Sequence, residues 1–444
     1  MKMREFDILV IGSGVAGSSA VYKLAQAGLK VAIVDERPFG GTCALRGCDP
    51  KKILIGGVEL VDWVRRMNEK GIEGKIEINW RKLMAFKREW TDGFPERMER
   101  SLKKAGVETI HGRARFVNED RVEVNGETIS AGKFLIATGA KPRKLNIPGE
   151  EHLITSDEFL ELDELPERMI FIGGGYISFE FAHLAARAGS EVTILHRSKR
   201  PLKNFEPYIV DIILRATEEE GINVITEAPV KEVEKKGSTF IVRTSKGTLG
   251  ADLVVHGAGR VPNINALALE KAGVKYGRRG IKVNEYMQTT NPKIYAAGDC
   301  AEGGLPLTPM ASVEGSIAAS NMINGNHVKI NYKSIPTVVF TIPPMASVGL
   351  TEEKALEQGL KIGVKKGETS RWYSSLRINQ KYGAYKIILD EDTGKILGAH
   401  LLGHNAEEVI NIFALAVKMG LSASEVKHTY YTYPSHTYDV LYMF

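Results

Sequence analysis

Two of the three cysteines in the chain stand five positions apart, in Gly40-Gly41-Thr42-Cys43-Ala44-Leu45-Arg46-Gly47-Cys48-Asp49-Pro50-Lys51-Lys52. A Gly-Gly pair precedes them and the apolar run Ile53-Leu54-Ile55 follows, so the stretch reads as a redox-active dithiol at the start of a helix. The positive end of a helix dipole favours a thiolate, which is the reactive form of a cysteine. Five helical residues advance about 7.5 Å, whereas a disulfide wants its Cα atoms within about 7 Å. A bridge here closes only across an irregular first turn, which Gly41 and Gly47 permit. Strained bridges tend to be the reducible ones. The competing reading of so bare a spacing is a pair of buried structural cysteines. The rest of the chain decides between them.

Composition narrows the class. The chain has 444 residues, 43% hydrophobic and 25% charged, an ordinary globular balance with room for about three domains. A net charge of +5 over this length gives no reason to expect nucleic acid. No apolar run reaches the roughly 18 residues of a membrane span. The N-terminal apolar run leads into a Gly-rich turn rather than a cleavage site, unlike a signal peptide. Three cysteines are too few for a disulfide scaffold. A reducing, cytoplasmic setting is expected.

Two nucleotide-binding units flank the pair or follow it. Residues 6–11 form an apolar strand. Gly12-Ser13-Gly14-Val15-Ala16-Gly17 follows, then an amphipathic helix to about 27 and a strand 30–34 ending in Asp35. The glycines allow backbone to approach a pyrophosphate, the helix N-terminus takes the phosphate charge, and Asp35 suits a ribose hydroxyl. A polar helical stretch is expected over 58–105, then short strands at 109–110, 113–116 and 121–124. Phe134-Leu135-Ile136-Ala137-Thr138-Gly139-Ala140 reads as a buried strand ending in a tight turn. Pro142, Pro148 and Gly149 mark a boundary. A second unit starts at 169–172 and runs through Gly173-Gly174-Gly175-Tyr176-Ile177-Ser178 into a helix and a strand at 192–195. No acid follows that strand. His196-Arg197-Ser198-Lys199-Arg200 and Lys203 stand there instead, and cations at that place suit the 2′-phosphate of NADP rather than the ribose diol of NAD. Ser178 replaces the usual Gly or Ala. Two nucleotide units with a dithiol imply electrons passing from a nicotinamide through a flavin to the sulfurs.

These residues resemble the FAD-dependent pyridine nucleotide–disulfide oxidoreductases, the family of glutathione reductase, dihydrolipoyl dehydrogenase and mercuric reductase. The resemblance spans essentially the whole chain. It rests on the Cys43–Cys48 stretch, both Gly-rich turns, Ala137-Thr138-Gly139, Gly259-Arg260-Val261-Pro262-Asn263 and Ala297-Gly298-Asp299. Pro336 to Thr341 and Val348-Gly349-Leu350-Thr351 resemble the start of the family's dimerisation domain. The resemblance implies an α/β fold with two Rossmann-like nucleotide-binding domains, for FAD and NAD(P), and a C-terminal α+β dimerisation domain. The expected boundaries are 1–149 and 267–331 for FAD, 150–266 for NAD(P), and 332–444 for dimerisation. By the same resemblance Cys43 is the outer thiol that exchanges with substrate and Cys48 the inner thiolate facing the flavin. Lys51 and Glu180 form an ion pair beside the flavin, with Lys52 the alternative lysine. Asp299 binds the ribityl chain, and Tyr176 covers the flavin until nicotinamide displaces it. Thr42, Ala114, Thr138, Gly139, Gly259 and Ala311 are implied as further cofactor contacts. Cys300 reads as a small buried residue.

The pattern breaks at the C-terminus. The family's disulfide reductases end with a His-Pro pair and a Glu five residues after the His, the acid–base of the leaving thiol and its orienting partner. This chain reads Thr432-Tyr433-Pro434-Ser435-His436-Thr437-Tyr438-Asp439, with Tyr433 at the His position and Tyr438 at the Glu position. A phenol with a pKa near 10 is a poor general base at neutral pH. His436 is read here as a surface histidine near the site, with substitution for the missing base as the alternative. Mercuric reductases share the Tyr but carry a C-terminal Cys pair, which this chain, ending Leu441-Tyr442-Met443-Phe444, lacks. Asp49 is a second departure, since the family has an apolar residue after the inner cysteine.

The expectation is a homodimeric FAD enzyme that oxidises NADPH, with NADH possible, reduces its own disulfide, and passes electrons to a small-molecule disulfide or other small oxidant. Neither a resident metal nor a nucleic-acid or membrane partner is expected. The rival readings are a metal-ion or quinone reductase on the same flavin and dithiol, and a redox-sensing flavoprotein without turnover.

Overall fold

The computed structural model describes residues 4–444; the first three residues of the N-terminal run lie outside them. It divides into two compact units. One comprises the chain up to Lys51, Ala85–Arg143 and Gly259–Tyr332; the other comprises Lys52–Met84, Lys144–Ala258 and Lys333–Phe444.

The first unit is built on β1 (Arg4–Ile11), α1 (Val15–Gln26) and β2 (Val31–Asp35), followed by β3 (Glu108–His111), β4 (Ala114–Asn118), β5 (Arg121–Val124) and β6 (Glu127–Ile136). The sheet order is β3-β2-β1-β6-β5-β4. Its first four strands are parallel, β5 and β4 continue it antiparallel, and strand Ile294–Ala296 adds in parallel beside β6. The central strands read as unbroken apolar runs because both faces are covered. Leu9, Phe134 and Ile136 fill one core; Val10, Ile33 and Leu135 fill the other. The turn from β1 into α1 needs glycine at position 12: its φ is +106°, and a Cβ there would stand 2.2 Å from the Ala137 carbonyl oxygen.

The helical stretch expected over 58–105 is corrected by the structure. The sequence around the cysteines forms two helices, α2 (Gly41–Arg46) and α3 (Cys48–Met67), broken at Gly47. α3 begins at Cys48 directly after the break, so the dithiol stands at the start of a helix as expected, and the helix runs on through residue 58 without interruption. It stops at Met67, and Gly71 and Gly74 then take φ of +100° and +122°, outside the helical region. Two further helices follow, Trp80–Thr91 and Phe94–Lys104. Further along the first unit, Tyr276–Gly277 and Gly280–Lys282 pair as a short antiparallel hairpin.

In the second unit strands Arg168–Ile172, Glu191–Leu195, Asn223–Ile225, Leu253–His256 and Ile154–Thr155 form a five-stranded parallel sheet. Helix Tyr176–Arg187 joins the first two, repeating the βαβ plan of the first unit. A five-stranded antiparallel sheet from Thr337 to Leu402 carries helix Ala406–Met419 on one face, with Phe413, Ile410 and Leu401 in the shared core. The expected architecture, two βαβ units and a C-terminal sheet with helices, is the one observed. Among the described residues no helix is long and apolar enough to cross a membrane.

Candidate active site

The two sulfurs converge on one hydroxyl. Cys43, in α2, and Cys48, the first residue of α3, lie 3.2 and 3.3 Å from Thr308 Oγ1. Thr308 opens helix Thr308–Asn324, with Pro309 in its first turn. Close approach of α2 to the Gly-rich turn fixes the pair's place: Gly41 has φ of +69°, and a Cβ on it would stand 2.4 Å from Gly14 Cα. The irregular turn expected between the cysteines is the break at Gly47.

The thiols are not equivalent. A hydrogen bond from the Cys43 thiol, helped by Thr308 and the nearby Lys51 ammonium, lowers Cys48 to about 6 against the opposing effects of burial and Asp49. Its seat at the first residue of a 20-residue helix acts in the same direction. Cys43 moves the other way, raised by its hydrogen bond to the Cys48 thiolate and by burial. The pair therefore holds one proton at neutral pH, on Cys43. In the reduced protein an ultraviolet thiolate signal is expected to titrate with a midpoint near pH 6, present above and lost below it. A midpoint near the ordinary thiol value of about 8.5 would contradict this geometry. Cys300 differs: fully buried, it donates to the Ile136 and Ala297 carbonyls at 3.3 Å, and burial pushes it up to about 11. It is the small buried residue expected.

Around the N-terminus of α1 the first unit forms a cradle walled by backbone. Gly14 caps α1 without a side-chain hydrogen bond, leaving its first-turn N–H groups for an anion. Asp35 ends β2; its Oδ2 accepts from Ser13 N and Oγ at 2.7 Å and its Oδ1 from Arg37 N at 3.0 Å. A carboxylate offers about four acceptor sites, so capacity for a ribose hydroxyl remains. Gly12 abuts Ala137 and Thr138, and Gly298 lies against Ala16 and Ala311. Gly139 has φ of +64° and accepts from Asn263 N, next to the Arg260–Pro262 strand that pairs with Ala140–Pro142. Gly259 receives Arg143 N, Thr42 stands exposed beside Cys43, and Ala114 is buried at the start of β4. Asp299 is half-buried with its carboxyl raised by burial and opposed by Arg260. Glu314 holds this turn: buried, it accepts from Gly298 N at 2.7 Å and from the Tyr332 hydroxyl at 2.9 Å. These residues fit an adenine dinucleotide, and the α1 N-terminus would take its phosphate charge.

In the second unit, Tyr176 opens helix Tyr176–Arg187 and is 43% exposed, so it is no packed core aromatic. Glu180, one turn on, is buried and accepts from Phe340 N at 2.8 Å. Lys51 is nearly buried in the first unit. Lys52, the alternative lysine, is engaged with Glu59 at 3.0 Å and lies 4.7 Å over the Phe340 ring. Gly173 and Gly175 form the turn, and Ser178 is accommodated against the bare Cα of Gly257. His196 occupies the place of the missing acid. Gly174 N donates to its Nδ1 at 3.1 Å, as Ser13 N donates to Asp35 in the other unit, and the two pairs share a separation of 22 residues. Its Nε2 faces the Arg200 carbonyl at 3.0 Å. Burial, then Arg197 and Lys203, lower its pKa, so a neutral ring stands there beside two exposed cations.

At the C-terminus one expectation changes. Tyr433 and Tyr438, at the positions of the family's His and Glu, stack edge to face at 4.9 Å. One interacting pair thus replaces the other. His436 is not a surface residue: it is half-buried against His404 at 5.3 Å, and desolvation, then His404 and Arg377, lower it to about 4. Sequence reasoning missed Thr308, Glu314 and the structural role of His196. Only the last left a signal, the matched 22-residue spacing.

A fold with two βαβ nucleotide units and a paired dithiol on the first defines a class, the dithiol flavoproteins fed by a nicotinamide nucleotide. Comparison with known proteins agrees. The chain belongs to the pyridine nucleotide-disulphide oxidoreductase family, whose model matches residues 6–315, and it carries that family's dimerisation domain at 335–441, from which a homodimer follows. It is 37% identical over 434 residues to mercuric reductase of Bacillus cereus, covering 96% of this chain and 69% of that one. It is 35% identical over 451 residues to glutathione reductase of a Nostoc species, covering 97% of each. Among solved structures it matches the HOCl-induced flavoprotein disulfide reductase RclA of Escherichia coli, seen as a Cu(II) complex, with a TM-score of 0.91, 28% identity and 99% of each chain covered. The chain is accordingly an NAD(P)H-dependent flavoprotein disulfide oxidoreductase, and FAD and NAD(P)H are the family's cofactors.

Proposed function

We propose that the enzyme takes its reducing equivalents from NADPH and passes them through Cys43 and Cys48 to a small disulfide or comparable small oxidant. The observation that carries this reading is the shared Thr308 hydroxyl, with Cys48 ionised at a helix end and Cys43 holding the proton. FAD, when bound, supplies the two-electron relay between nicotinamide and sulfur. The protein's own residues do the rest. The α1 N-terminus, Asp35 and Asp299 would hold the dinucleotide, with Thr42, Ala114, Thr138, Gly139, Gly259 and Ala311 lining it. Lys51 stabilises the Cys48 thiolate, Glu180 is its proposed counter-charge, and Tyr176 is the proposed cover over the ring. Gly173, Gly175, Arg197 and Lys203 receive NADPH, with the cations on its 2′-phosphate. The FAD domain is read as 1–149 with 267–331, the NADPH domain as 150–266 and the dimerisation domain as 332–444. A cytoplasmic setting suits a dithiol that must be kept reducible.

Cys43→Ser tests the division of labour. Cys48 then has no partner to bridge, so the long-wavelength absorbance of a thiolate against a flavin is expected in the protein as purified, and turnover of disulfide acceptors is expected to vanish. Retained disulfide turnover would reject Cys43 as the exchanging thiol.

A further inference from the structure

The C-terminal segment offers a stacked tyrosine pair where the family's acid–base dyad belongs, yet a thiol that attacks a disulfide must still lose a proton. We propose that Asp49 is the acid–base of the outer thiol, taking the Cys43 proton as the sulfur attacks and delivering it to the departing thiolate. This inference rests on the reading above and supplies its proton path.

The geometry carries it. Asp49 is the second residue of α3, and the Cys43 thiol donates to its Oδ1 with sulfur and oxygen 3.8 Å apart, the loose contact typical of a thiol donor. The charged and titratable groups set around the couple are the two thiols and Lys51, which acts on Cys48. Burial raises the Asp49 carboxyl above the ordinary carboxylate range, which strengthens it as a base. An aspartate that only sat there would hinder the reaction, because a fixed negative charge disfavours a thiolate on Cys43. Accepting the proton removes that charge as the thiolate forms. The obstacle and the remedy are the same group.

The step balances. Cys43 S–H gives its proton to the Asp49 carboxylate, and its sulfur bonds one sulfur of the acceptor disulfide. The acceptor S–S bond breaks, and the leaving thiolate takes the proton back from Asp49. The Cys48 thiolate then attacks the Cys43 sulfur of the mixed disulfide, re-forming the enzyme disulfide and expelling a second thiolate, which is protonated by water. The acceptor gains two electrons and two protons; the enzyme dithiol is oxidised by two electrons.

The test compares Asp49→Asn with the natural enzyme, both holding FAD. Each is first reduced anaerobically with NADPH, and the long-wavelength thiolate absorbance is recorded. Re-oxidation is then followed with two disulfides: a dialkyl disulfide, whose leaving thiol has a pKa near 8.5, and an aromatic disulfide, whose leaving thiol is far more acidic and needs no proton. Asp49→Asn is expected to form the thiolate signal normally and to slow re-oxidation by the dialkyl disulfide about 100-fold, the general acid–base scale. The aromatic disulfide should slow much less, and Asp49→Glu should recover most of the loss. Equal slowing with both disulfides, no slowing, or acceleration would overturn the proposal; acceleration would mean that Asp49 acts through its charge alone. If Asp49→Asn fails to fold, Asp49→Val, with the apolar residue usual there, is read the same way. Absence of the thiolate signal in the natural enzyme would instead sink the underlying electron path.

Discussion

Replacing Cys48 by serine is expected to remove the long-wavelength absorbance after two-electron reduction and to cut acceptor turnover by about 10,000-fold or more, the scale of losing a covalent nucleophile. The loss is large because three stabilising features meet on this sulfur: the Cys43 thiol, the Thr308 hydroxyl and the Lys51 ammonium. Serine has no accessible anion at neutral pH and cannot form the bridge. Nicotinamide oxidation with direct flavin oxidants should survive, since it needs no sulfur. Anaerobic reduction followed by absorbance and by free-thiol counting checks the prediction. A surviving band would place the thiolate on Cys43.

The second large effect concerns the nicotinamide nucleotide. Changing Arg197 and Lys203 together to alanine is expected to raise the KM for NADPH on the order of 100-fold, since each charge-assisted contact contributes about 1.5–3 kcal/mol. The KM for NADH should change less than about threefold. His196→Asp should act in the complementary direction and lower the KM for NADH. A carboxylate there can still accept the Gly174 N–H, as Asp35 accepts Ser13 N, while offering a second oxygen to a ribose diol. Steady-state kinetics with both nucleotides separates these outcomes. Equal effects of the double variant on both would reject a phosphate role for the cations.

Much of this was legible in the chain. The βαβ units were readable because glycine spacing, strand hydrophobicity and Asp35 all bear on one local turn, which needs no distant information. The dithiol was readable because Gly41 and Gly47 announce the irregular turn that lets the cysteines meet. Long-range partners were not. Thr308 lies 260 residues from Cys48 and Glu314 16 residues from Gly298, and neither side chain differs in type from an ordinary helix residue. The helix that opens on the dithiol was legible, and Pro50 suits its first turn, where proline is well tolerated. His436 was misjudged because its sequence neighbours are polar, while its burial comes from His404, 32 positions away. Asp49 stood out as unusual from the start, but whether it opposes or assists the thiol depends on the 3.8 Å contact with Cys43.

The most direct test of the account is an anaerobic titration of the FAD-loaded enzyme with NADPH, reading the flavin band, the long-wavelength band and free thiols together. The first equivalent is expected to leave the flavin band largely in place, raise the long-wavelength absorbance and release two titratable thiols; only the second should bleach the flavin. Bleaching by the first equivalent with no new thiols would mean that electrons stop short of Cys43 and Cys48.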